Sequence, residues 1–265
     1  MKIVLILFFS VVILFGNIYY SKVQPYEIRS ISSNVSGLVV YSDEGKLGKL
    51  LSSEPYIKID SILDIQELKY IKEKLEYLNN SIDSSEKILN NIEKTTIKKR
   101  DNYKKIESLK IKSQVEKNRE FYDLIASENL LLNTKKEIQN FKIQIADLKL
   151  REAKLKRIVE DKSLRAKGYI LYELLVKRGQ VVNISTPLAK VADISKAKLT
   201  IFLNKDEVID IENKIIYIDG IKTNYKVDRV LNIADSKNIS KYMAQIIIKS
   251  PKIFSKLVKV EFKNE

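Results

Sequence analysis

Few side chains in this sequence can do covalent or acid–base chemistry. It contains no cysteine and no histidine, which removes the thiol nucleophile, the disulfide, the commonest general base and the commonest metal ligand. Carboxylate and lysine chemistry remain. Lys58, within Pro55-Tyr-Ile-Lys58-Ile-Asp60, and Lys190, within Pro187-Leu-Ala-Lys190-Val-Ala-Asp193, occupy matching places in two similar segments and raise the covalent attachment of biotin or lipoate, as in a carrier domain. Neither has the Ala-Met-Lys-Met setting of a biotin site or the Asp-Lys-Ala of a lipoyl turn, so no cofactor is expected. Asp206, Glu207, Asp210 and Glu212 gather four carboxylates, but without the glycine of a calcium loop they read as surface. No catalytic, cofactor-binding or metal residue is assigned, and the chain is not expected to be an enzyme.

The net charge of +14 over 265 residues implies attraction to something negative, such as nucleic acid, lipid headgroups or an acidic partner. The lysines are spread along the whole chain, the pattern of a solvated surface. Lys249, Lys252, Lys256 and Lys259 form a basic carboxy-terminal segment that could meet anionic lipid or a membrane protein, or simply face water.

The element that positions everything else runs through residues 61–162. Between Pro55 and Gly168 there is neither glycine nor proline. Apolar residues recur in steps of three and four at Leu68, Ile71, Leu75, Leu78, Ile82, Leu89, Ile92, Tyr103 and Ile106. The spacing returns at Leu124, Leu131, Ile138, Phe141, Ile145, Leu148, Leu155 and Val159. This is a heptad seam. Continued past Ile106 it meets Lys110, Ser113, Lys117 and Glu120, so the stretch is either one long helix with a polar patch or two helices folded back on each other.

Upstream, Ile3 to Tyr20 is an apolar run interrupted only by Ser10, Gly16 and Asn17. As a helix it spans roughly 27 Å, enough for a bilayer core. No alanine precedes Ala126, which disfavours an A-x-A-type signal cleavage, so residues 1–20 are expected to be an uncleaved transmembrane anchor. Met1 and Lys2 would lie inside and the remainder outside, which excludes nucleic acid as a partner. Residues 21–30, with Pro25, read as a polar tether.

Two segments flanking the helical stretch repeat each other. Gly168-Tyr-Ile-Leu-Tyr172 matches Gly37-Leu-Val-Val-Tyr41, Gly179 stands to Gly168 as Gly48 stands to Gly37, and Pro187 echoes Pro55. Gly37, Gly48, Gly168, Gly179, Pro55 and Pro187 are read as turn residues. In a chain with only seven glycines and four prolines, this ordered match argues for a true repeat. Each half (residues 31–60 and 163–195) is too small to bury a core alone, so the two are expected to close into one β-sandwich. Their ends must then meet, which selects the hairpin over the rod. With about 45 residues per arm it would reach about 70 Å, its tip falling between Ser108 and Asn133. Residues 196–265 alternate in short strands, with an Asp219-Gly220 hairpin turn, and suggest a small β-barrel.

Taken together, the anchor, Val35-Ser-Gly37-Leu-Val, the coiled-coil insertion, Ala166-Lys-Gly168-Tyr-Ile…Lys177-Arg-Gly179-Gln-Val…Pro187-Leu, and Ala192-Asp193-Ile-Ser followed by Asp206-Glu207-Val resemble the membrane fusion protein family, the HlyD-like periplasmic adaptors. The resemblance implies an α+β fold: an N-terminal transmembrane helix, a long antiparallel coiled-coil hairpin inserted in a split lipoyl-like β-sandwich, and a small C-terminal β-barrel. It also implies a location in the inner (cytoplasmic) membrane with the bulk in the periplasm. The implied role is non-catalytic linkage of an inner-membrane transporter, ABC or proton-driven, to a TolC-like outer-membrane channel, for efflux or type I-like secretion. A homo-oligomeric ring, trimer to hexamer, is implied too. The family's tip pattern Arg-x3-Leu-x6-Ser is represented by Arg119, Leu124 and Ser127 at different spacings, which makes them the candidates for tip docking. The barrel lacks the family's usual glycine near Asn213-Lys214, and little chain follows the barrel, so a membrane-proximal domain is expected to be reduced or absent. The alternative is a single-pass, membrane-anchored coiled-coil scaffold that homodimerises through the seam.

Overall fold

The computed structural model describes residues 17–234 and 241–264. Its helices are α1 (Ile62–Ser108), α2 (Gln114–Asp161) and the single turn α3 (Lys205–Val208). The strands before the hairpin are β1 (Ile18–Lys22), β2 (Gln24–Ser32), β3 (Gly37–Ser42) and β4 (Ile57–Ile59). Those after it are β5 (Ser163–Leu164), β6 (Ile170–Leu174), β7 (Val181–Val182), β8 (Pro187–Leu203), β9 (Ile215–Ile218), β10 (Ile221–Lys222), β11 (Val227–Ala234), β12 (Tyr242–Lys249) and β13 (Leu257–Lys263).

The two halves of the repeat share one core. Val39, Leu51, Tyr56, Ile57 and Ile59 from the first half are buried against Leu171, Val176, Val182, Leu188, Ala189 and Val191 from the second. Each half also completes the other's backbone pairing. The amides of Gly48 and Leu51 donate to the carbonyls of Leu171 and Tyr169, and those of Val39 and Gly179 donate to Gln180 and Val39. β3 pairs with β7, and β4 with β5. The register refines the sequence match. Val39 lies opposite Ile59, Tyr41 opposite Lys58 and Ser42 opposite Ile57, with a bulge after the first pair. In the second half Leu171 lies opposite Val191, Glu173 opposite Lys190 and Leu174 opposite Ala189, with a bulge at the same place. Val39 is thus equivalent to Leu171, whereas aligning Gly37 with Gly168 equates it with Ile170. One residue of slip exchanges the faces of a strand, and the fully buried members are Val39 and Leu171.

Residues 1–16 of the expected anchor lie outside the described residues. Its last part is not helical: Ile18–Lys22 is β1, antiparallel to β13. Tyr19 packs edge-on against Phe262, 5.8 Å between ring centres, and the Ser21 hydroxyl bonds Thr200 of β8. Among the described residues no helix is long and apolar enough to cross a membrane. Residues 21–30 are not a tether either, because they continue through Val23 into β2, which pairs along β8. Pro25, the apparent loop signal, sits beside a bulge on an edge strand, where a missing amide is tolerated.

The expected C-terminal barrel does not close. One sheet has the order β1-β13-β9-β10, the other β11-β12-β8-β2, with β6 also on β8. They enclose a second core of Val23, Leu199, Ile201, Leu203, Ile216, Ile246, Val260 and Phe262, among others. β10 and β11 end their sheets instead of joining. Asp219 and Gly220, with φ of 49° and 82°, form the two-residue turn between β9 and β10, both left-handed as such a turn requires. β8 runs unbroken through the expected boundary at residue 195 and serves both cores.

Gly37 is set by proximity: a Cβ there would lie 2.6 Å from Cγ2 of the buried Ile59. Gly37→Ala is expected to destabilise the protein by about 1–3 kcal/mol in denaturant titration. The loss should shrink in an Ile59→Ala background, where the clashing methyl is gone.

Candidate functional site

The feature that projects from these sheets is the helical hairpin, and its root is tied into the sandwich core. The Asp60 carboxylate accepts from the Ile62 amide at the start of α1, 3.0 Å. The Ile59 amide donates to the Lys162 carbonyl just past α2, 2.8 Å. Lys162 also pairs with Asp64, a partly buried ion pair at the root. From there 47 and 48 helical residues extend about 70 Å.

Every apolar residue assigned to the seam from sequence is buried or half-buried in the structure. Off-seam residues such as Tyr70, Tyr77, Leu132 and Ile143 are exposed. The seam lies within one chain, so the two-helix reading holds over the single rod, and the surface on which a homodimeric scaffold would depend is already occupied. Four polar residues that periodicity alone did not mark also lie in it: Ser85, Thr96, Ser127 and Thr134. They fall on the heptad positions the apolar pattern skips, and that is the signal that could have found them. Thr96 and Ser127 face each other with their hydroxyls 2.7 Å apart. Counting outward antiparallel from this contact sets Leu78 opposite Ile145 and Ile82 opposite Phe141. One flank carries a ladder at heptad spacing: Arg100–Glu128 at 2.6 Å, Lys135–Glu93 at 3.0 Å and Lys142–Glu86 at 3.6 Å. These pairs are exposed and individually weak, but only this register makes all three: a shift by one heptad sets Arg100 against Lys135, or Glu93 against Glu128, and leaves one opposite pair.

The tip is Leu109–Ser113, at the near edge of the expected interval. α1 ends at Ser108, and Ser113 opens α2 with a capping box. Its hydroxyl accepts from the Glu116 amide, and the Glu116 carboxylate accepts from the Ser113 amide at 3.0 Å. Ser113-x-x-Glu116 is legible in the sequence and would have placed the turn. Lys112 bonds Glu116 at 3.0 Å, and with the Ser113 groups it holds that carboxyl below its usual range. Lys117 donates to the Glu107 carbonyl across the turn, 2.9 Å. Of the three docking candidates only Arg119 is exposed. Leu124 and Ser127 are buried against α1, so their side chains belong to the seam.

The remaining sequence candidates are held by neighbours. Lys58 lies over the Tyr41 ring at 5.8 Å, and its repeat equivalent Lys190 pairs with Glu173 at 2.7 Å, so both answer the residue directly across the strand pair. Glu207 accepts from the Asn204 amide at 2.7 Å. Burial disfavours its ionisation, but hydrogen bonds from Tyr19, the Asn204 backbone and Asn17 outweigh that and keep its pKa low. Asp206, Asp210 and Glu212 do not join it: among the described residues no group of three acidic side chains could hold a metal ion. In the basic carboxy-terminal segment, Lys256 pairs with Asp219 at 2.9 Å and Lys259 with Glu261.

No protein-family model matches the chain, and no curated protein matches it by sequence. Solved structures do. The architecture of a helical hairpin set into a split sandwich beside further β-sheet is the fold of membrane fusion proteins. The chain is similar to MacA from Actinobacillus actinomycetemcomitans, with 17% identity, a TM-score of 0.68, and coverage of 94% of this chain and 78% of that one. It is similar also to the membrane fusion protein Spr0693 from Streptococcus pneumoniae R6, with 10% identity, a TM-score of 0.55, and coverage of 94% and 100%. A MacA–MexA chimera carrying the Pseudomonas aeruginosa MexA α-hairpin domain gives 14% identity, a TM-score of 0.55, and coverage of 94% and 84%.

Two predictions follow from these contacts. Thr96→Val should cost about 1–3 kcal/mol by leaving the Ser127 hydroxyl unpaired. The Thr96→Val/Ser127→Ala double variant should cost less than the sum of the two singles, as a double-mutant cycle would measure. Asp219 has a lowered pKa, caused first by the hydrogen bond from Lys256 and then by the Lys259 amide. The stabilisation is therefore present above the ordinary aspartate value of 3.8 and is lost as pH falls through the depressed folded value. Asp219→Asn should lower the thermal midpoint at neutral pH and flatten its decline in acid.

Proposed function

We propose that this protein is a non-catalytic adaptor. It is held in the inner membrane by its N-terminal apolar run, with its bulk in the periplasm. There it links an inner-membrane export transporter, ABC or proton-driven, to a TolC-like outer-membrane channel for efflux or secretion. Copies stand side by side in a closed ring, trimer to hexamer, where one heterologous contact serves every neighbour. The order of parts is that drawn from the sequence, with strands β1 and β2 in place of the tether and an open β-region in place of the barrel: anchor, split sandwich, hairpin and C-terminal β-region. Lys58 and Lys190 carry no cofactor, and Arg119 lies on the surface offered to the outer partner.

The observation that carries this reading is the hairpin itself. About 70 Å of paired helix leaves and re-enters one small sandwich, a stiff spacer with its root tied at Asp60, Asp64 and Lys162. The likeness in fold to MacA and Spr0693 supports it. Histidine and cysteine, the commonest general base and the thiol nucleophile, are missing from the sequence.

Affinity capture of the full chain from its native membrane, with the captured proteins identified by mass, should recover an integral-membrane transporter. Leu78→Asp or Ile145→Asp places an unpaired charge in the seam at a cost of several kcal/mol, and should abolish export while the chain still inserts. Normal export by a variant whose helices are shown to be splayed would remove the hairpin from the mechanism. Cysteines at Leu75 and Leu148, in a chain with no other cysteine, should cross-link within one chain. Cross-linked dimers would instead favour the scaffold.

A further inference from the structure

A cavity of about 510 Å³ lies at the root of the hairpin, between the last turn of α2 and two strands, β2 and β5, that each end a sheet. Among the described residues no pairing joins these two strands. Their open edges keep backbone groups unspent. The Leu164 and Lys162 carbonyls accept from the Tyr56 and Ile59 amides, at 3.0 and 2.8 Å, so strand alternation turns the amide and carbonyl of Ser163 away from β4. Ser33 spends its amide and carbonyl on Thr186 and Ser185, so those of Ser32 point away from β8. Ser32 and Ser163 both line the cavity. A buried hydroxyl opens on it as well. Tyr56 is 1% exposed, its hydroxyl makes no hydrogen bond among the described residues, and burial alone pushes its pKa up to about 12. No fully sealed polar side-chain atom of the described residues lacks a partner, so this hydroxyl faces the cavity that Tyr56 lines. The charged groups there are unevenly committed. Asp161 is held by Arg157 at 3.2 Å and by the Asn34 side-chain amide at 3.3 Å. Arg165 and Glu160 are exposed, and among the described residues neither forms an ion pair.

We propose that this cleft binds an extended peptide segment, which adds as a strand to the open edge of β5 and carries an acidic side chain for Arg165 and a basic one for Glu160. Ser163 and Ser32 supply the main-chain bonds. In recognition by strand addition the backbone gives affinity and the alternate side chains give choice. Alternate residues of a strand share a face, so the two charges of the segment stand two positions apart. The Tyr56 hydroxyl donates to a carbonyl or carboxylate of the segment. A free anion fits less well, because it would leave both strand edges unpaired and bring its charge beside Glu160. The inference goes beyond the adaptor reading and does not require it.

The probes are fluorescently labelled five-residue peptides, blocked at both ends, that set one Glu and one Lys at every pair of positions among threonines, which favour strands. Each is titrated by anisotropy into the full chain in detergent. Members with the two charges two positions apart should bind, and in their presence the Ser163 and Arg165 amides should exchange more slowly with deuterium. Methylating the backbone nitrogens of the peptide should abolish binding. Arg165→Gln should weaken it about tenfold and Tyr56→Phe about fivefold. Arg165 is exposed, so its variant keeps the test open if the substitution at the buried tyrosine disturbs folding. No binding by any member overturns the proposal, as does binding that survives backbone methylation or is unchanged in Arg165→Gln. A site that inorganic phosphate occupies as tightly as the peptides is an anion site, which also overturns it. Oligomers that dissociate in Arg165→Gln while no peptide binds assign the cleft to a second copy of this chain, and overturn it too. Each of these failures leaves the capture of a transporter to stand or fall separately.

Discussion

The structure depends on one constraint of backbone hydrogen bonding: neither half of the split sandwich can satisfy its own strand edges. The amides of Gly48, Leu51 and Leu171 find their carbonyls across the repeat, as do those of Val39 and Gly179. An edge left bare in so small a core would carry unpaired polar groups with little apolar burial to offset them. The two segments are therefore stable only together, and everything inserted between them must begin and end at one place. That requirement turns more than a hundred residues without glycine or proline into a hairpin. The helices do not choose antiparallel pairing from their own seam, which would serve a rod in a dimer equally well.

The same constraint explains which parts of the fold were legible in the sequence. Heptad spacing read the apolar members of the seam one by one, because in a two-helix coil the apolar stripe supplies most of the burial, and it missed the polar members Ser85, Thr96 and Thr134. The repeat was legible through its glycines and prolines, but these mark turns and do not fix register. The hydrogen bonds equate Val39 with Leu171, one residue away from the match the glycines give. The N-terminal strands were hidden by their setting. β1 follows directly on an apolar run, so its alternation merges with the run. β2 shows the outward polarity of an edge strand and carries a proline at a bulge, and both resemble a linker.

Of the candidate site, the hairpin was legible and its polar details were not. Ser127 was singled out by residue type, but a type says nothing about which face of a helix it occupies. Its place in the heptad does, and Ser127 lies in the seam opposite Thr96. A buried hydroxyl pair adds little net stability compared with apolar residues of the same shape, but it is satisfied only in one alignment. Together with the ion-pair ladder at Glu86, Glu93 and Arg100, it penalises sliding of one helix along the other. The length of the spacer is thereby fixed by register, and the seam supplies the burial.

The path from root to body passes through very little structure. β8 carries Leu188 and Val191 in one core and Leu199, Ile201 and Leu203 in the other, and β2 accompanies it along most of that length. Midway the β2 side of the ladder slips: between Pro25 and Glu27 the pairing skips from Ala197 to Asp193, while β8 itself continues and Lys196 pairs with Lys249 of β12. The Asp193 carboxylate receives the Ser195 amide at 2.8 Å, which satisfies a donor that the ladder has released. A bulge increases local twist and bends a strand, and this one falls between the stretches of β8 that serve the two cores. The Asp193–Ser195 hydrogen bond holds the chain where the pairing partner of β8 changes, between the residues that serve one core and those that serve the other.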